Sequence, residues 1–277
     1  MANKYNTRDL QLRTLQNLLA VDKVCREHNI IYYISDGTML GAVRHGGFIP
    51  WDDDLDIVMP RPDYDRFLAH ASEWLPAPYE LVCTENDDRC AYTLAKVIDG
   101  STTLIERWSF NQLGGIFIDI FPLDGVSTKR WKRKLQFALF KMVDRWIYLR
   151  NRDPYKRDHG YTSWLPLLFQ ATVSNASLHR LLRKIQKWYD YDKATLIAEF
   201  DDYERGVMTK DVLGKPTPVM FEGHEVMGVE HPDEYLKTLF GGDYMQLPPE
   251  DKRRIHNFDY VDLEQSYHDY NDTRHFK

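Results

Sequence analysis

A chain of 277 residues is long enough to bury a sizeable core, as one large domain or two small ones. Its 43% hydrophobic and 13% aromatic content is that of a globular protein, and a formal charge of −6 gives no reason to expect a nucleic-acid partner. Three cysteines, Cys25, Cys83 and Cys90, follow no metal-ligand spacing and suit a reducing compartment. The opening "MANKYNTRDLQLRTL" lacks the apolar core of a signal peptide, and no apolar run reaches the roughly 18 residues of a membrane span. The expected address is the cytoplasm, or the cytoplasmic face of a membrane.

In chain order, residues 7–28 carry Leu10, Leu15, Leu18, Val21, Val24 and Cys25 at helical spacing, with Thr7 as N-cap and Asn29 as stop. "IIYYIS", 30–35, is β-branched and aromatic and predicts a strand. Asp36-Gly37 breaks it, and Thr38 caps a short helix through "MLGAVR". "HGGFIPW" reads as a loop. "DLDIVM", 54–59, predicts a strand ended by Pro60 and Pro62, which lead into a helix with Tyr64, Phe67, Leu68 and Trp74 on its apolar side. Short strands are expected at 79–83, 92–98, 102–106 and 115–120. Early strands followed by mostly helices indicate an α+β or mixed α/β arrangement.

The composition changes after Gly125. Residues 129–157 hold eleven Lys/Arg against Asp144 and Asp153, a net of about +9, with Leu135, Leu139, Met142, Val143, Trp146 and Ile147 interleaved. This stretch is either an ordinary solvated helical face or an anionic-surface contact. In the second case Lys132, Arg133 and Lys134 would supply charge, while Trp131 and Trp146 would sit at lipid headgroup level.

Four aspartates, Asp52, Asp53, Asp54 and Asp56, crowd into five positions beside an apolar run. Strand side chains alternate, so Asp54 and Asp56 share one face while Leu55 and Ile57 enter a core. Crowded carboxylates need a counter-charge, and hard oxygen ligands of this kind suit Mg²⁺ or Mn²⁺. Upstream, Gly37 lets a phosphate approach the backbone at a helix start. A phosphate cradle joined by one loop to a metal pair predicts phosphoryl transfer. Asp119, isolated in the strand-like "GIFIDIFPLDG", is the best third carboxylate, with Asp124 next. Asp52 and Asp53 read equally well as loop or capping residues. Arg44 is a phosphate partner or a cover for the loop. Lys96 either snorkels from a strand or reaches a phosphate.

"GTMLGAVRHGGFIPWDDDLDIVMPRPDYDRF" closely resembles the signature of the LicD family, which includes bacterial phosphorylcholine transferases and extends to fukutin and fukutin-related protein. "GGIFIDIFPLDG" is similar to its second motif and "LFGGDYMQLPP" to a third. The resemblance implies an α+β, nucleotidyltransferase-like (polymerase β-type) fold: a mixed sheet core with flanking helices, here one domain over 1–277 with a basic helical insertion at about 126–190. It implies a substrate-positioning Gly37 and Thr38, and a metal and catalytic set of Asp54, Asp56 and Asp119. The implied reaction moves a phospho-substituent, phosphocholine or phosphoribitol, from a CDP-linked donor to a glycan hydroxyl, releasing CMP. The implied acceptor is a cell-surface glycan or teichoic acid precursor, lipid-linked where a membrane contact exists. Two other readings stand beside it: a true nucleotidyltransferase, and a non-catalytic cation-binding module.

Overall fold

The structure is a computed structural model that describes residues 5–84, 90–106, 113–153, 164–253 and 258–271. Helix α1, Thr7–His28, is capped one residue earlier than expected: the Asn6 side chain accepts from the Arg8 N–H at 2.9 Å. Asn29 closes it in the left-handed conformation, φ 52°. Its buried face holds Leu10, Leu15, Leu18, Val21 and Val24, and also Asn17. Asn17 Nδ2 donates to the Val97 and Ile116 carbonyls, at 3.2 and 2.7 Å, which fastens the helix to the sheet.

The strand expected at 30–35 shortens to β1, Tyr33–Ile34. Helix α2, Asp36–His45, opens two residues before Thr38, with Ser35 at the N-cap. Strand β2, Asp56–Pro60, runs into α3, Arg61–Trp74, with Pro62 in its first turn, where a missing N–H costs nothing. β3 is Tyr79–Val82, β4 Ala95–Ile105 and β5 Gly114–Val126. The strands expected at 92–98 and 102–106 are therefore one strand. Its pairing with β5 is irregular between Asp99 and Leu104, where Thr102 Oγ1 donates to the Asp99 carbonyl and accepts from the Ile116 N–H. Those bonds keep the strand together across Gly100 and Ser101, which read locally as a turn.

Helices α4, Arg130–Asn151, α5, Trp164–Thr172, and α6, Asn175–Gln186, follow β5. The chain then returns with β6, Leu196–Glu199, β7, Met208–Thr209, and α7, Lys210–Leu213. A hairpin of β8, Thr217–Phe221, and β9, His224–Gly228, turns at Glu222 and Gly223, both left-handed. Helix α8, Pro232–Phe240, and the edge strand β10, Tyr260–Asp262, complete the chain.

The main sheet has the order β1-β2-β5-β4-β10, with β3 also on β4 and β6 also on β5. β2 and β5 are parallel; β4 and β6 run antiparallel to β5. The architecture is the expected α+β, nucleotidyltransferase-like one, a mixed sheet with flanking helices. Pro122 sits inside β5 without breaking it. The Asp119 N–H donates to the Leu55 carbonyl on the β2 side, so alternation turns residue 122 the other way. There the pairing with β4 has ended at Ile120 and that with β6 begins at Leu123, so no ladder bond is lost.

One core packs the face of the sheet that carries Leu55, Ile57, Ala95, Val97, Ile118 and Ile120, all fully buried. A second gathers Phe137, Phe140, Val143 and Ile147 of α4 with Leu178, Leu182 and Ile185 of α6 over Ala198 and Phe200. No described helix is long and apolar enough to cross a membrane.

Arg61, first in α3, pins that helix to β5. Its Nε donates to Asp124 Oδ1 at 2.7 Å and its Nη2 to Oδ2 at 2.5 Å, both groups buried. Asp124 is thereby a structural partner rather than a spare catalytic acid. Arg61→Met should cost about 3–5 kcal/mol in urea unfolding, because Asp124 is left charged and unpaired. Adding Asp124→Leu should recover most of that. A loss below about 1 kcal/mol for the single variant would contradict this role.

Candidate active site

Three adjacent strands place one charged residue each at the same level. Asp56 of β2 lies opposite Asp119 of β5, and Asp119 lies opposite Lys96 of β4. Register partners project to the same side, so the row Asp56–Asp119–Lys96 crosses the sheet on the face opposite the apolar core. Helix α2 locks the end of the row: the Thr38 hydroxyl accepts from the Asp56 N–H at 2.9 Å. Gly37 precedes it, and a Cβ there would stand 3.0 Å from Asp52 Oδ2.

Two recesses flank this row. One, about 520 Å³, is lined by Asp36, Gly37, Asp52, Asp54 and Asp56, by Phe121 and Phe240, and by Glu199, Asp201, Asp202 and Arg205. The other, about 360 Å³, is lined by Tyr92, Thr93, Lys96, Glu106 and Asp119, and by Asp144, Arg145 and Tyr148 of α4. Asp54 and Asp56 thus open together onto one space, as their spacing predicts. Asp53, just before Asp54, turns inward and accepts from the Tyr5 hydroxyl at 3.1 Å.

Lys96 is buried, with its Nζ 2.9 Å from Asp119 Oδ1 and 3.0 Å from Glu106 Oε1. The same nitrogen lies 3.2 Å from the Phe117 ring centroid and 4.3 Å from that of Tyr92. Tyr92 in turn donates its hydroxyl to Glu106. Burial opposes the ammonium charge, but the two carboxylates overcome it and hold Lys96 above the ordinary lysine range. Snorkelling from a strand and reaching a phosphate are the expected roles; the geometry adds one that neither names, an ion pair with Asp119.

Burial raises Asp119 to about 6, with Glu106 and Asp54 adding to the rise and Lys96 opposing it. Asp56 is pushed well above the carboxylate range by burial, then by Asp54 and Asp119. Asp36 rises to about 7 through burial and the neighbouring Asp202. Asp201 also rises to about 7, through burial and then Asp144 and Asp119. Glu199 is raised by burial and Asp36. Lys96 and Arg205 offset only part of this charge, and oxygen donors of this density fit Mg²⁺ or Mn²⁺.

The tightest acidic group lies beside the expected one. Among the described residues, the carboxylate trio whose oxygens fall within 4.8 Å of one another is Asp36, Glu199 and Asp202. Asp54, Asp56 and Asp119 do not form such a trio, and Asp119 is paired with Lys96 instead. Asp202 is paired with Arg205. The sequence carried a signal for this second group in "LIAEFDDYERG", a short apolar strand running into acids, as "DDDLDIVM" does in reverse. Arg44 lines neither recess. Its Nη1 donates to the carbonyls of Tyr244 and Gln246, at 2.9 and 3.3 Å, so that α2 grips the loop after α8.

Comparison with known proteins accords with this geometry. The LicD/FKTN/FKRP nucleotidyltransferase domain matches residues 29–148, which contain the whole Asp56–Asp119–Lys96 row. The lipopolysaccharide cholinephosphotransferase LicD of Haemophilus influenzae is 30% identical over 273 residues, 92% of this chain and 97% of that protein. The chain belongs to the LicD family. It is therefore a transferase, and the reading as a non-catalytic cation-binding module falls away. The human ribitol 5-phosphate transferase FKRP is 26% identical over 145 residues, 52% of this chain and 25% of that protein. The grip of Arg44 on Tyr244 and Gln246 joins the first LicD motif to the third, and Phe240 brings the third into the acidic recess.

The raised carboxyls set a pH dependence. Their folded values lie above the unfolded ones, so the folded state holds more protons between about pH 4 and pH 7. Stability therefore falls as pH rises through that window, and the penalty is complete above it. Without divalent cations the melting temperature should drop from about pH 5 to about pH 8, and Glu199→Gln should flatten the slope. Mg²⁺ or Mn²⁺ should raise it more at the upper pH than at the lower. An equal slope in parent and variant would contradict the assignment.

Proposed function

We propose that this LicD-family transferase moves phosphocholine from a CDP-linked donor to a hydroxyl of a cell-surface glycan and releases CMP. The observation that carries the donor class is the charge of the larger recess. Seven carboxylates line it against the single guanidinium of Arg205, more than one divalent ion offsets. A second positive occupant would displace the protons that these raised carboxyls otherwise hold, and Phe121 and Phe240 offer the aromatic contact that a quaternary ammonium favours. The relative from Haemophilus influenzae carries cholinephosphotransferase in its name, which supports the same choice over a neutral polyol phosphate.

In this reading Asp54, Asp56 and Asp119 hold Mg²⁺ or Mn²⁺. The ion, when bound, neutralises the donor phosphates and the charge that builds on the leaving CMP. The α2 start at Gly37 presents its backbone to the donor phosphate. The acceptor oxygen attacks the phosphorus that bears choline, and the bond from that phosphorus to the oxygen bridging to CMP breaks. Asp119 orients the acceptor hydroxyl and takes its proton, while Lys96 fixes the carboxylate in place. Thr38 acts through Asp56, whose strand it holds against α2.

Asp54→Asn, Asp56→Asn and Asp119→Asn should each lower turnover by about a hundredfold or more and leave the fold intact. CMP release is the readout, with Mg²⁺ and a glycan precursor present. Incorporation of cytidine into the acceptor, without free CMP, would favour nucleotidyl transfer instead.

Glu199→Gln separates the two uses of the inner acids. As part of a headgroup pocket it should raise KM for CDP-choline about tenfold or more and barely change kinetics with CDP-ribitol or CDP-glycerol. A fall in kcat with every donor would assign that wall to a second metal ion.

A further inference from the structure

The outer face of the helical layer between β5 and β6 combines two properties. On α4 the exposed positions recur at helical spacing as Trp131, Lys134, Leu135, Lys141, Met142 and Arg145. On the adjacent α6 they are Arg180, Leu181, Lys184 and Trp188, the last just past the helix end. Trp131 is 65% exposed and Trp188 46%. Neither stripe contains an acid. The one acid of α4, Asp144, lines the recess that holds Asp119 instead. Arg130, Lys132, Lys134, Arg180 and Lys184 take part in no ion pair among the described residues. Helix α5 packs beside α4 and exposes Trp164, Leu167 and Leu168.

Solvated faces rarely expose several tryptophans and leucines among uniformly positive charges. A face of that kind matches a surface that is negative at its boundary and apolar just below it. We propose that the α4–α6 face docks peripherally on an anionic lipid bilayer. Lys and Arg would meet lipid phosphates, and Trp131, Leu135, Leu181 and Trp188 would enter the headgroup level.

The structure also alters which residues carry the contact. Arg133, a charge expected at the surface from sequence, is half-buried and donates to the Ser127 carbonyl at 2.9 Å. Trp146 packs against the second core. Lys187 is taken by Asp65 at 2.5 Å. Residues 154–157 of the basic stretch lie outside the described residues.

The placement bears on catalysis through α4. From Trp131 to Arg145 the helix rises about 21 Å. Arg145 and Tyr148 line the recess that contains Lys96 and Asp119. Trp131 and the first turn of α4 therefore lie about two nanometres along the helix from the side chains that line the catalytic recess. That distance suits an acceptor sugar carried on a lipid phosphate, a point that rests on the transferase reading above. The docking itself does not, and it is measured without donor or acceptor.

Flotation of the full chain with vesicles of phosphatidylglycerol and phosphatidylcholine tests it. The parent should float with these vesicles in low salt, not with phosphatidylcholine alone, and should lose binding in about 0.5 M salt. Charge reversal at Lys132, Lys134, Arg180 and Lys184 to Glu should lower binding about tenfold or more. Trp131→Ser, Leu135→Ser and Trp188→Ser together should also lower it. Both variants should keep the parental melting temperature and CMP release with a water-soluble acceptor. No flotation with anionic vesicles in low salt would overturn the proposal. Undiminished binding by the charge-reversal variant would do the same. If charge reversal alone weakened binding and the apolar variant floated like the parent, the face would serve a soluble polyanion rather than a bilayer.

Discussion

The ion pair between Lys96 and Asp119 is the contact around which the rest of the site is arranged. An ammonium at 3% residue exposure requires compensation, and Asp119, Glu106 and two aromatic rings supply it. The pair fixes the register of β4 on β5, because a shift of one residue would send Lys96 into the apolar face. It gives Asp119 a cationic partner on the side away from β2. The parallel pairing of β2 with β5 then brings Asp56 alongside. The same row that would hold a metal is thus built by strand register and includes one buried cation.

Around this row the charge of the protein is divided by region. The larger recess collects carboxylates from α2, from β2 and the loop before it, and from β6 and the turn after it. The helical layer on β5 and β6 collects lysines and arginines with exposed tryptophans. A formal charge of −6 conceals both. Helix α4 is the physical link: one end belongs to the basic face, and Asp144, Arg145 and Tyr148 belong to the second recess. The acids concentrate negative charge in the cleft, while the basic layer concentrates positive charge on the outer helices.

Likeness to two differently named transferases sharpens what the recess decides. LicD of Haemophilus influenzae is named for cholinephosphate and FKRP for ribitol 5-phosphate. The matched domain, 29–148, holds Asp54, Asp56, Lys96 and Asp119, whereas Glu199, Asp201, Asp202 and Phe240 lie beyond it. On the proposed reading, the phosphate machinery lies within the matched domain, while the headgroup recess is shared between that domain, through Asp36 and Phe121, and the later part of the chain.

Several features were readable from the chain alone. The alternation in "DLDIVM" puts Asp54 and Asp56 on one side, and the solitary acid in "GIFIDIF" marks Asp119. Both follow from a periodicity of two, which is local. The helix 7–28 and the proline-led start of α3 are equally local, set by spacing, capping and ring geometry. Tertiary structure alone decided the partners. Lys96 meets Asp119 across a strand pairing, Asp124 is spent on Arg61, Arg44 holds a loop two hundred residues away, and Asp36 joins Glu199 and Asp202. It also sorted the basic stretch into exposed and occupied side chains, turning Lys134 and Lys141 outward while Arg133 and Trp146 found partners within. Residue type and spacing determine which side chains share a face. Which charges neutralise one another depends on strand register and helix packing between segments distant in sequence, and no local pattern encodes those.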